Sequence, residues 1–311
     1  MDGTQSPSSA TAVAAPAAGP GPVPAYYSAK TEEIIRKYGN GGRGAPHYHL
    51  GLFDGPLPTS QIGPEAIRER ICRAQEAMLE RAARRWGVFA APPGSLLDIG
   101  CGLGGGSLYW AQEHGARVTA LTNTAAHIPH LWEFSRAAGV ADRISPVLMD
   151  VHDLSTERAY DAAVAFESTN HMERYRLFEV VARALRPGGW FGIEDHFLTG
   201  DRAAEYLNDY YTTRLGTFDE YLSAARAAGL ELADNDDVTA GVTEFWVQSM
   251  AWSATELERA MQSGDAGETT ERTGFTTARL AESARKHGIF FRLWRDREVE
   301  TRLLLFRLPP R

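Results

Sequence analysis

Cysteine is scarce in this chain, which has only Cys72 and Cys101 among its 311 residues. Two cysteines cannot form a disulfide scaffold, and their spacing matches no metal-binding motif. The chain also has no apolar run that approaches the roughly 18 residues of a membrane-spanning helix. These absences predict a cytoplasmic protein in a reducing compartment, with no membrane partner.

Positive charge is also in short supply, because 32 lysines and arginines face 40 acidic residues and the formal net charge is -8. A nucleic-acid surface needs a clustered basic face, so no nucleic-acid partner is expected. The chain has no Arg or Lys before Lys30, and residues 1 to 25 are rich in Ala, Pro, Gly and Ser. This start does not resemble a signal peptide and predicts a disordered tail.

The most informative stretch is residues 95 to 107, which read S-L-L-D-I-G-C-G-L-G-G-G-S. A short apolar run ends at Asp98, and the glycines that follow allow a tight turn before a helix begins. The glycine spacing alone is weak evidence, since it overlaps the dinucleotide-binding fingerprint. Asp98 makes the evidence on the ligand more specific, because a carboxylate repels a pyrophosphate but can accept a hydrogen bond from an ammonium group. A turn without a ligand and a dinucleotide site remain as alternatives.

Helices and strands alternate after this stretch. We predict strands at 95–99, 116–122, 144–149, 161–166 and 190–197, and helices at 105–114, 125–138 and 173–185. Such alternation indicates an α/β fold, with a mostly parallel sheet covered by helices on both faces. Ligands of these sheets bind at the carboxyl ends of the strands, where this sequence places polar residues. The residues at these strand ends are polar except for Val151 and Phe166. They are Asp98, Thr122, Asn123, Asp150, Val151, Phe166 and Glu167.

The flanking segments divide the chain into three parts: a tail at 1–25, an N-terminal helical and lid segment at 26–92, and a main domain at 93–311. Helices are predicted at 28–38 and 64–86, and the histidine-rich block at 47–53 is either a lid or a loop anchored by its aromatics. Residues 201–229 look helical and predict a cap insertion at about 198–229. Further predictions are a helix at 245–261, an exposed loop at 263–275, a helix at 276–287 and a strand at 298–308.

The order Asp-x-Gly-x-Gly-x-Gly from Asp98 resembles motif I of the class I S-adenosylmethionine-dependent methyltransferases, and the Leu-Arg-Pro-Gly-Gly turn at 185–189 supports the likeness. Phe-Glu-Ser-Thr at 166–169 resembles the Glu-Ser-Thr signature of the bacterial geranyl diphosphate C-methyltransferases. Other matching positions are Ala74-Gln75, Thr-x-x-Ala-Ala at 122–126, the histidine-rich block with Gly51, Glu220-Tyr221-Leu222 and Trp246. The likeness covers about residues 26–308. The chain departs from it with His-Tyr-His in place of a histidine run and with Phe166 in place of Asn.

This resemblance implies a Rossmann-like domain that binds S-adenosylmethionine and methylates an alkene carbon of an isoprenoid, in terpenoid biosynthesis. The implied cofactor-binding residues are Gln75, Asp98, Gly100, Cys101, Gly102, Gly104, Thr122, Asn123, His127, Asp150, Val151 and Glu167. The second strand ends in Thr122 and Asn123, at the position where a cofactor ribose usually contacts an acidic side chain. The hydroxyl and amide groups present here are weaker ribose ligands than a carboxylate. Oligomeric state is left open, including a homo-oligomer.

Alkene methylation leaves a tertiary carbocation, so the site needs a dry pocket, aromatic faces and a base. Glu167 is the expected base, or else a carboxylate that only positions the cofactor. Tyr211 and Trp246 are candidates to face the cation, or else core residues. His47 and His49 are expected to hold a diphosphate, with Mg²⁺ as its counterion, or else to be ordinary loop residues; Phe166 completes the substrate set. The alternatives are N- or O-methylation of a small amine or natural product, and a non-catalytic cofactor-binding protein.

Overall fold

The computed structural model describes residues 21–39, 46–262 and 274–310. Residues 1–20 of the predicted tail therefore lie outside the described residues. Residues 263–273 of the loop predicted at 263–275 also lie outside them. Residues 22–25 were assigned to the tail, but they form the first turn of helix α1 (Pro22–Tyr38). The prolines that suggested disorder are compatible with a helix here, because the first turn needs no N–H donor.

Five parallel strands form the centre of the sheet. They are β1 (Ser95–Ile99), β2 (Arg117–Thr122), β3 (Ile144–Leu148), β4 (Tyr160–Phe166) and β5 (Leu185–Leu198). Their order across the sheet is β3-β2-β1-β4-β5, so the chain reverses direction across the sheet between β3 and β4. The carboxyl ends of β1 and β4 are neighbours at this reversal, where Asp98 pairs in register with Val164. The fold places the predicted strand-end residues along one edge.

Helices cover both faces of the sheet, and the strands alternate their side chains between two apolar layers. Leu96 and Val164 face the layer that contains Trp86 and Trp110. Leu97 and Ala165 face the opposite layer, which contains Phe178. The helices that follow the first strands are α3 (Gly105–His114), α4 (His127–Ala137) and α5 (Arg174–Ala184). The predicted α/β class and the double-sided cover are confirmed.

The sheet continues beyond β5 with β8 (Val299–Arg307), which is antiparallel to β5, and with β7 (Glu231–Asp237) at the edge. A two-residue strand, β6 (Gly216–Thr217), also pairs with β5. We did not predict β7, whose sequence E-L-A-D-N-D-D lacks the β-branched and aromatic residues typical of strands. Tertiary contacts stabilise it instead, since Arg81 and Arg85 of α2 (Pro64–Arg85) pair with Asp236 and Asp234.

The predicted cap at 198–229 is only partly correct. Helix α6 (Ala204–Tyr211) lies over the site, but α7 (Phe218–Ala227) packs on the sheet, where the Tyr221 ring lies 6.2 Å from Phe178 and 4.8 Å from Phe197. The segment between β7 and β8 also contributes to the cover. That segment folds into a hairpin of α8 (Thr239–Gln262) and α9 (Thr277–Arg295), longer than both helices that we predicted there. No helix in the described part of the chain is long and apolar enough to cross a bilayer.

Candidate active site

A cavity of about 1060 Å³ opens at the carboxyl ends of β1, β2 and β4. It lies between the glycine-rich loop, the start of α3 and the segment that follows α1. Most of the predicted cofactor-binding residues line it: Asp98, Gly100, Cys101, Gly102, Thr122, Asn123, His127, Asp150, Val151 and Glu167. Residues from separate strands and loops thus converge on one cavity, as the strand-end argument predicts.

Asp98 is the buried acid of this first cavity, with only 4% of its surface exposed. Its Oδ2 accepts a hydrogen bond of 2.5 Å from the Ser107 hydroxyl. Burial raises the pKa of Asp98 to about 6, and the Ser107 hydrogen bond opposes the rise. A buried carboxylate of this kind gains most from a cationic partner.

The remaining lining fits the other groups of S-adenosylmethionine. Gly105 and Gly106, at the start of α3, offer helix N-terminal amides that suit a carboxylate. Thr122 and Asn123 offer hydroxyl and amide groups for a ribose, and Asp150 offers a carboxylate acceptor for an amino group. Together with Asp98, these groups match the cationic, anionic and polar parts of the cofactor.

Gly100 shows why this loop needs glycine. Its φ is +69°, and a Cβ there would lie 2.5 Å from the Cβ of Ser168. Ser168 in turn donates from its hydroxyl to the Ile99 carbonyl at 2.7 Å. The β1 loop and the end of β4 therefore touch through backbone and a small side chain, which brings Glu167 to the edge of the cavity.

Two predicted cofactor ligands do not line the cavity. Gly104 has φ +92° at the N-cap of α3, and a Cβ there would lie 2.5 Å from Cδ2 of Leu131. Gln75 is fully buried in α2, and its Nε2 donates to the carbonyls of His47 at 3.0 Å and His49 at 2.8 Å. Gln75 therefore holds the histidine-rich segment in place, and its contact with the cofactor would be indirect.

The histidine-rich segment lines the first cavity and does not provide charge. His47 lies only there, while His49 reaches both this cavity and a second one. Burial lowers the pKa of His47 to about 3 and also lowers that of His49. Both imidazoles are neutral near pH 7, so the structure does not favour the predicted cationic contact with a diphosphate.

The second cavity encloses about 910 Å³ and adjoins the first. Glu167 lines both cavities, as do Tyr27 of α1 and Tyr48. The Glu167 backbone has φ +45°, an uncommon value for a residue with a side chain, and its N–H donates to the Glu194 carbonyl at 2.8 Å. Strained backbone of this kind is typical of functional positions. Here it places the Glu167 carboxyl group at the junction of the two cavities.

Aromatic rings line much of the second cavity: Tyr38, Tyr48, Tyr210, Tyr211, Phe245 and Trp246. Tyr211 stacks on Phe290 at 5.6 Å, and Trp246 lies 4.8 Å from the same ring. Tyr211 and Trp246 therefore belong both to the cavity wall and to the packed core. Phe166 differs from our expectation, since it lines the first cavity only and packs against His49 and Trp86.

Sequence reasoning missed the cationic groups of the second cavity, which are Lys30, Lys37 and Arg279. Lys37 is only 7% exposed, and burial lowers its pKa to about 7; the pKa of Lys30 is lowered to about 8 for the same reason. Arg279 of α9 pairs with Glu33 at 3.1 Å. The seven-residue spacing of the lysines was the available signal, since it puts both on one helix face.

A predicted Mg²⁺ ion has no convincing protein site. Among the described residues, Glu167, Glu194 and His196 bring ligand atoms within 4.8 Å of one another. Glu194 is fully buried, and burial followed by the Glu167 charge raises its pKa well above the usual range, which disfavours its charged form. Mg²⁺ prefers charged oxygen ligands and several waters. We assign no metal to this cluster.

Comparison with known proteins places this arrangement in a family. A family profile described as a methyltransferase domain matches residues 96–189. Methyltransferase GfsG of Streptomyces halstedii is 30% identical over 200 residues, which cover 61% of this chain and 68% of that protein. A sterol 24-C-methyltransferase of Gibberella zeae is 28% identical over 159 residues, 46% of this chain and 41% of that protein.

Solved structures show the same fold. Geranyl diphosphate C-methyltransferase from Streptomyces coelicolor, in complex with Mg²⁺, geranyl-S-thiolodiphosphate and S-adenosyl-L-homocysteine, superposes with a TM-score of 0.75. The two chains are 20% identical, and the match covers 94% of this chain and 99% of the other. The [4+2]-cyclase SpnF, at 23% identity and a TM-score of 0.68, also shares the fold. At these identities the likeness concerns the fold alone.

The fold and the first cavity define a cofactor-dependent group-transfer enzyme of the Rossmann-like class. The chain belongs to the class I S-adenosylmethionine-dependent methyltransferases, and it resembles the geranyl diphosphate C-methyltransferases within that class. S-adenosylmethionine is its cofactor.

Proposed function

We propose that this enzyme transfers a methyl group to an alkene carbon of an isoprenoid diphosphate, such as geranyl diphosphate or a related prenyl compound. One observation supports this above the others: Glu167 lies where the cofactor cavity meets a second cavity that is aromatic along its walls and cationic at one side. An oily chain with an anionic end matches that lining. The enzyme would then serve terpenoid or other natural-product biosynthesis.

The reaction needs three contributions from this chain. S-adenosylmethionine, when bound, supplies an electrophilic methyl group, and Asp98 and the glycine-rich loop orient it. The alkene would form a carbon–carbon bond with that methyl group while the methyl–sulfur bond breaks, which would release S-adenosylhomocysteine and leave a tertiary carbocation on the substrate. The rings of Tyr211 and Trp246 line the space for this cation, and such contacts contribute about 2 kcal/mol or more in a dry site. Glu167 accepts the proton from the neighbouring carbon, which restores the double bond.

Lys30, Lys37 and Arg279 take the role that we had predicted for His47 and His49. Burial disfavours the charged forms of Lys30 and Lys37, and a diphosphate in the second cavity would favour them. Arg279 already pairs with Glu33, which lines the same cavity. The three groups can also be satisfied by a monophosphate, so the substrate panel below separates these ligands. We propose that any Mg²⁺ enters as the counterion of the diphosphate.

A substrate panel tests the proposed function directly. The purified enzyme is incubated with labelled S-adenosylmethionine and geranyl diphosphate, longer prenyl diphosphates, geranyl monophosphate, geraniol or a prenylated indole, with and without EDTA. We expect methylated hydrocarbon chains from a diphosphate and little product from geraniol. Methylation only at a nitrogen or oxygen atom would instead support the alternative of an N- or O-methyltransferase.

The role of Glu167 is tested by Glu167→Gln, which keeps the shape of the side chain and removes its basicity. We expect turnover to fall by at least about 100-fold, while calorimetry shows the same affinity for S-adenosylmethionine. Glu205→Gln is the control, because Glu205 is an exposed residue of α6. Unchanged turnover in Glu167→Gln would remove Glu167 from the base role.

A further inference from the structure

A line of polar side-chain contacts leads from the core to Glu167. Trp294 of α9 donates from Nε1 to the Thr301 hydroxyl at 2.8 Å. The same hydroxyl lies 3.0 Å from Nδ1 of His196, and Nε2 of His196 lies 3.4 Å from Oε2 of Glu167. Trp294 and Thr301 are almost completely buried, and His196 lines the second cavity.

The direction of these hydrogen bonds follows from their chemistry. The indole N–H of Trp294 can only donate, so Thr301 accepts from it. In the described part of the chain, the Thr301 hydroxyl has one further partner, Nδ1 of His196. If Nδ1 carried the proton, the buried hydroxyl would lack an acceptor. The arrangement favours the neutral tautomer with the proton on Nε2, which therefore donates to Glu167. A doubly protonated ring would also donate from Nε2.

The other oxygen of Glu167 has its own donor. Oε1 accepts from the backbone N–H of Leu50, in the segment that Gln75 holds against α2. The Glu167 carboxyl group is thus held from two sides, by the sheet through His196 and by the histidine-rich segment through Leu50. Rotation about its last torsion would break both contacts.

We propose that His196 is a positioning residue that orients the Glu167 carboxylate toward the acceptor, with its Nε2–H set by Thr301 and Trp294. The inference rests on the base role of Glu167 in the proposed function. His196 does not itself receive the proton from the substrate. Its part is to keep one oxygen of Glu167 occupied and the carboxylate fixed at the junction of the cavities.

The charged surroundings are compatible with this role. Burial disfavours a charged His196, but the Glu167 and Asp195 carboxylates outweigh that effect and raise the pKa of His196 above its ordinary value. The neighbouring Glu194 is kept neutral by burial. The other titratable side chains that line the second cavity are Lys30, Glu33, Lys37, His49, His171, Arg279 and His287, together with Tyr27, Tyr38, Tyr48, Tyr210 and Tyr211. A proton on Nε2 is present in both states of the ring, so the contact with Glu167 does not depend on which state dominates.

Two substitutions with opposite expectations test the proposal. The amide nitrogen of glutamine can occupy the place of Nε2, whereas that of asparagine matches only Nδ1. We expect His196→Asn to lower kcat by about 10- to 100-fold, because a displaced catalytic group costs that much, with the affinity for S-adenosylmethionine unchanged. His196→Gln should recover most of the lost kcat. Equal loss in both variants, or no loss in His196→Asn, would overturn the positioning role.

Nitrogen-15 NMR of the histidine side chains gives a readout that needs no substrate. We expect the Nε2–H tautomer for His196 at high pH in the wild type and a tautomer mixture in Thr301→Val, which keeps the shape of the side chain. An Nδ1–H tautomer in the wild type would contradict the inference. A wild type that methylates no prenyl diphosphate would instead defeat the proposed function, so the two failures are distinguishable.

Discussion

We propose that Asp98 links the glycine-rich loop to cofactor binding through its charge. Its pKa is raised to about 6 by burial, so the free protein binds a proton there as the pH falls through 6. An ammonium group beside the carboxylate would favour the charged form and lower that pKa in the complex. The complex therefore binds fewer protons than the free protein below pH 6, and affinity must fall with pH in that range.

We predict that the affinity for S-adenosylmethionine is constant above pH 7 and falls below pH 6, approaching about tenfold per pH unit. Calorimetry between pH 5 and pH 8 measures this. Two imidazoles of the same cavity do not titrate in this range, since burial lowers the pKa of His47 to about 3 and that of His127 to about 4; burial also lowers the pKa of His49 and His171. Asp98→Asn should bind weakly at every pH and lose the pH dependence. A wild-type affinity that stays constant down to pH 5 would contradict the prediction.

The same scale shows where sequence reasoning about single residues fails. His47 and His49 are typical phosphate-binding residues by type, yet burial keeps them neutral. Lys30 and Lys37 look like ordinary surface residues of an amphipathic helix, yet they line the second cavity. Charge state and exposure depend on what packs against a side chain, which the local sequence does not specify.

At the scale of elements, the segment of residues 46–53 depends on close contact with α2. The Leu52 N–H donates to the Ala74 carbonyl at 2.8 Å. A Cβ on Gly51 would lie 2.7 Å from the Cβ of Ala74 and 2.9 Å from its backbone carbonyl carbon. No flexible side chain can move aside there, so any side chain at 51 must push the segment off the helix. The Leu50 contact with Glu167 would move with it.

We therefore predict that Gly51→Ala lowers the free energy of unfolding by about 1–3 kcal/mol, the usual cost of overpacking, and lowers turnover as well. Denaturant unfolding and a methyl-transfer assay measure the two effects. Gly55→Ala is the matched control in the same loop, because a Cβ there would meet nothing within 4 Å. Equal behaviour of the two variants would show that the segment tolerates displacement from α2.

Strand β7 is the element that sequence patterns could not identify. Its acidic residues lack strand propensity, and pairing with β8 and with arginines of α2 stabilises it. Missing β7 also hid the origin of the α8–α9 hairpin, which is inserted between the last two strands. We consequently placed the cap around 198–229, although α7 of that range packs against the sheet.

For the whole molecule, helix α1 is a feature common to both cavities. Tyr27 and Ile34 line the first and the second cavity, and the Tyr27 hydroxyl lies 2.9 Å from Nε2 of His171. The helix therefore loses exposure when either cavity is filled. Helix α5, by contrast, packs on the opposite face of the sheet.

We predict that S-adenosylhomocysteine slows amide hydrogen exchange in α1, and that geranyl diphosphate added with it slows exchange further. Mass spectrometry of peptides from residues 22–38 measures the change. Peptides from α5 are the internal control and should change less. If α1 exchanges at the same rate with and without both ligands, the helix is not part of the binding site.

The sequence by itself determined the α/β class, the order of most elements and the cofactor edge of the sheet. These features depend on local patterns, because apolar periodicity, glycine spacing and polar residues at strand ends act over a few neighbours. Only the tertiary structure decided the second cavity, where α1, α6, α8 and α9 meet from distant parts of the chain. It also decided which groups are charged, because burial and the partners beside each side chain set its pKa.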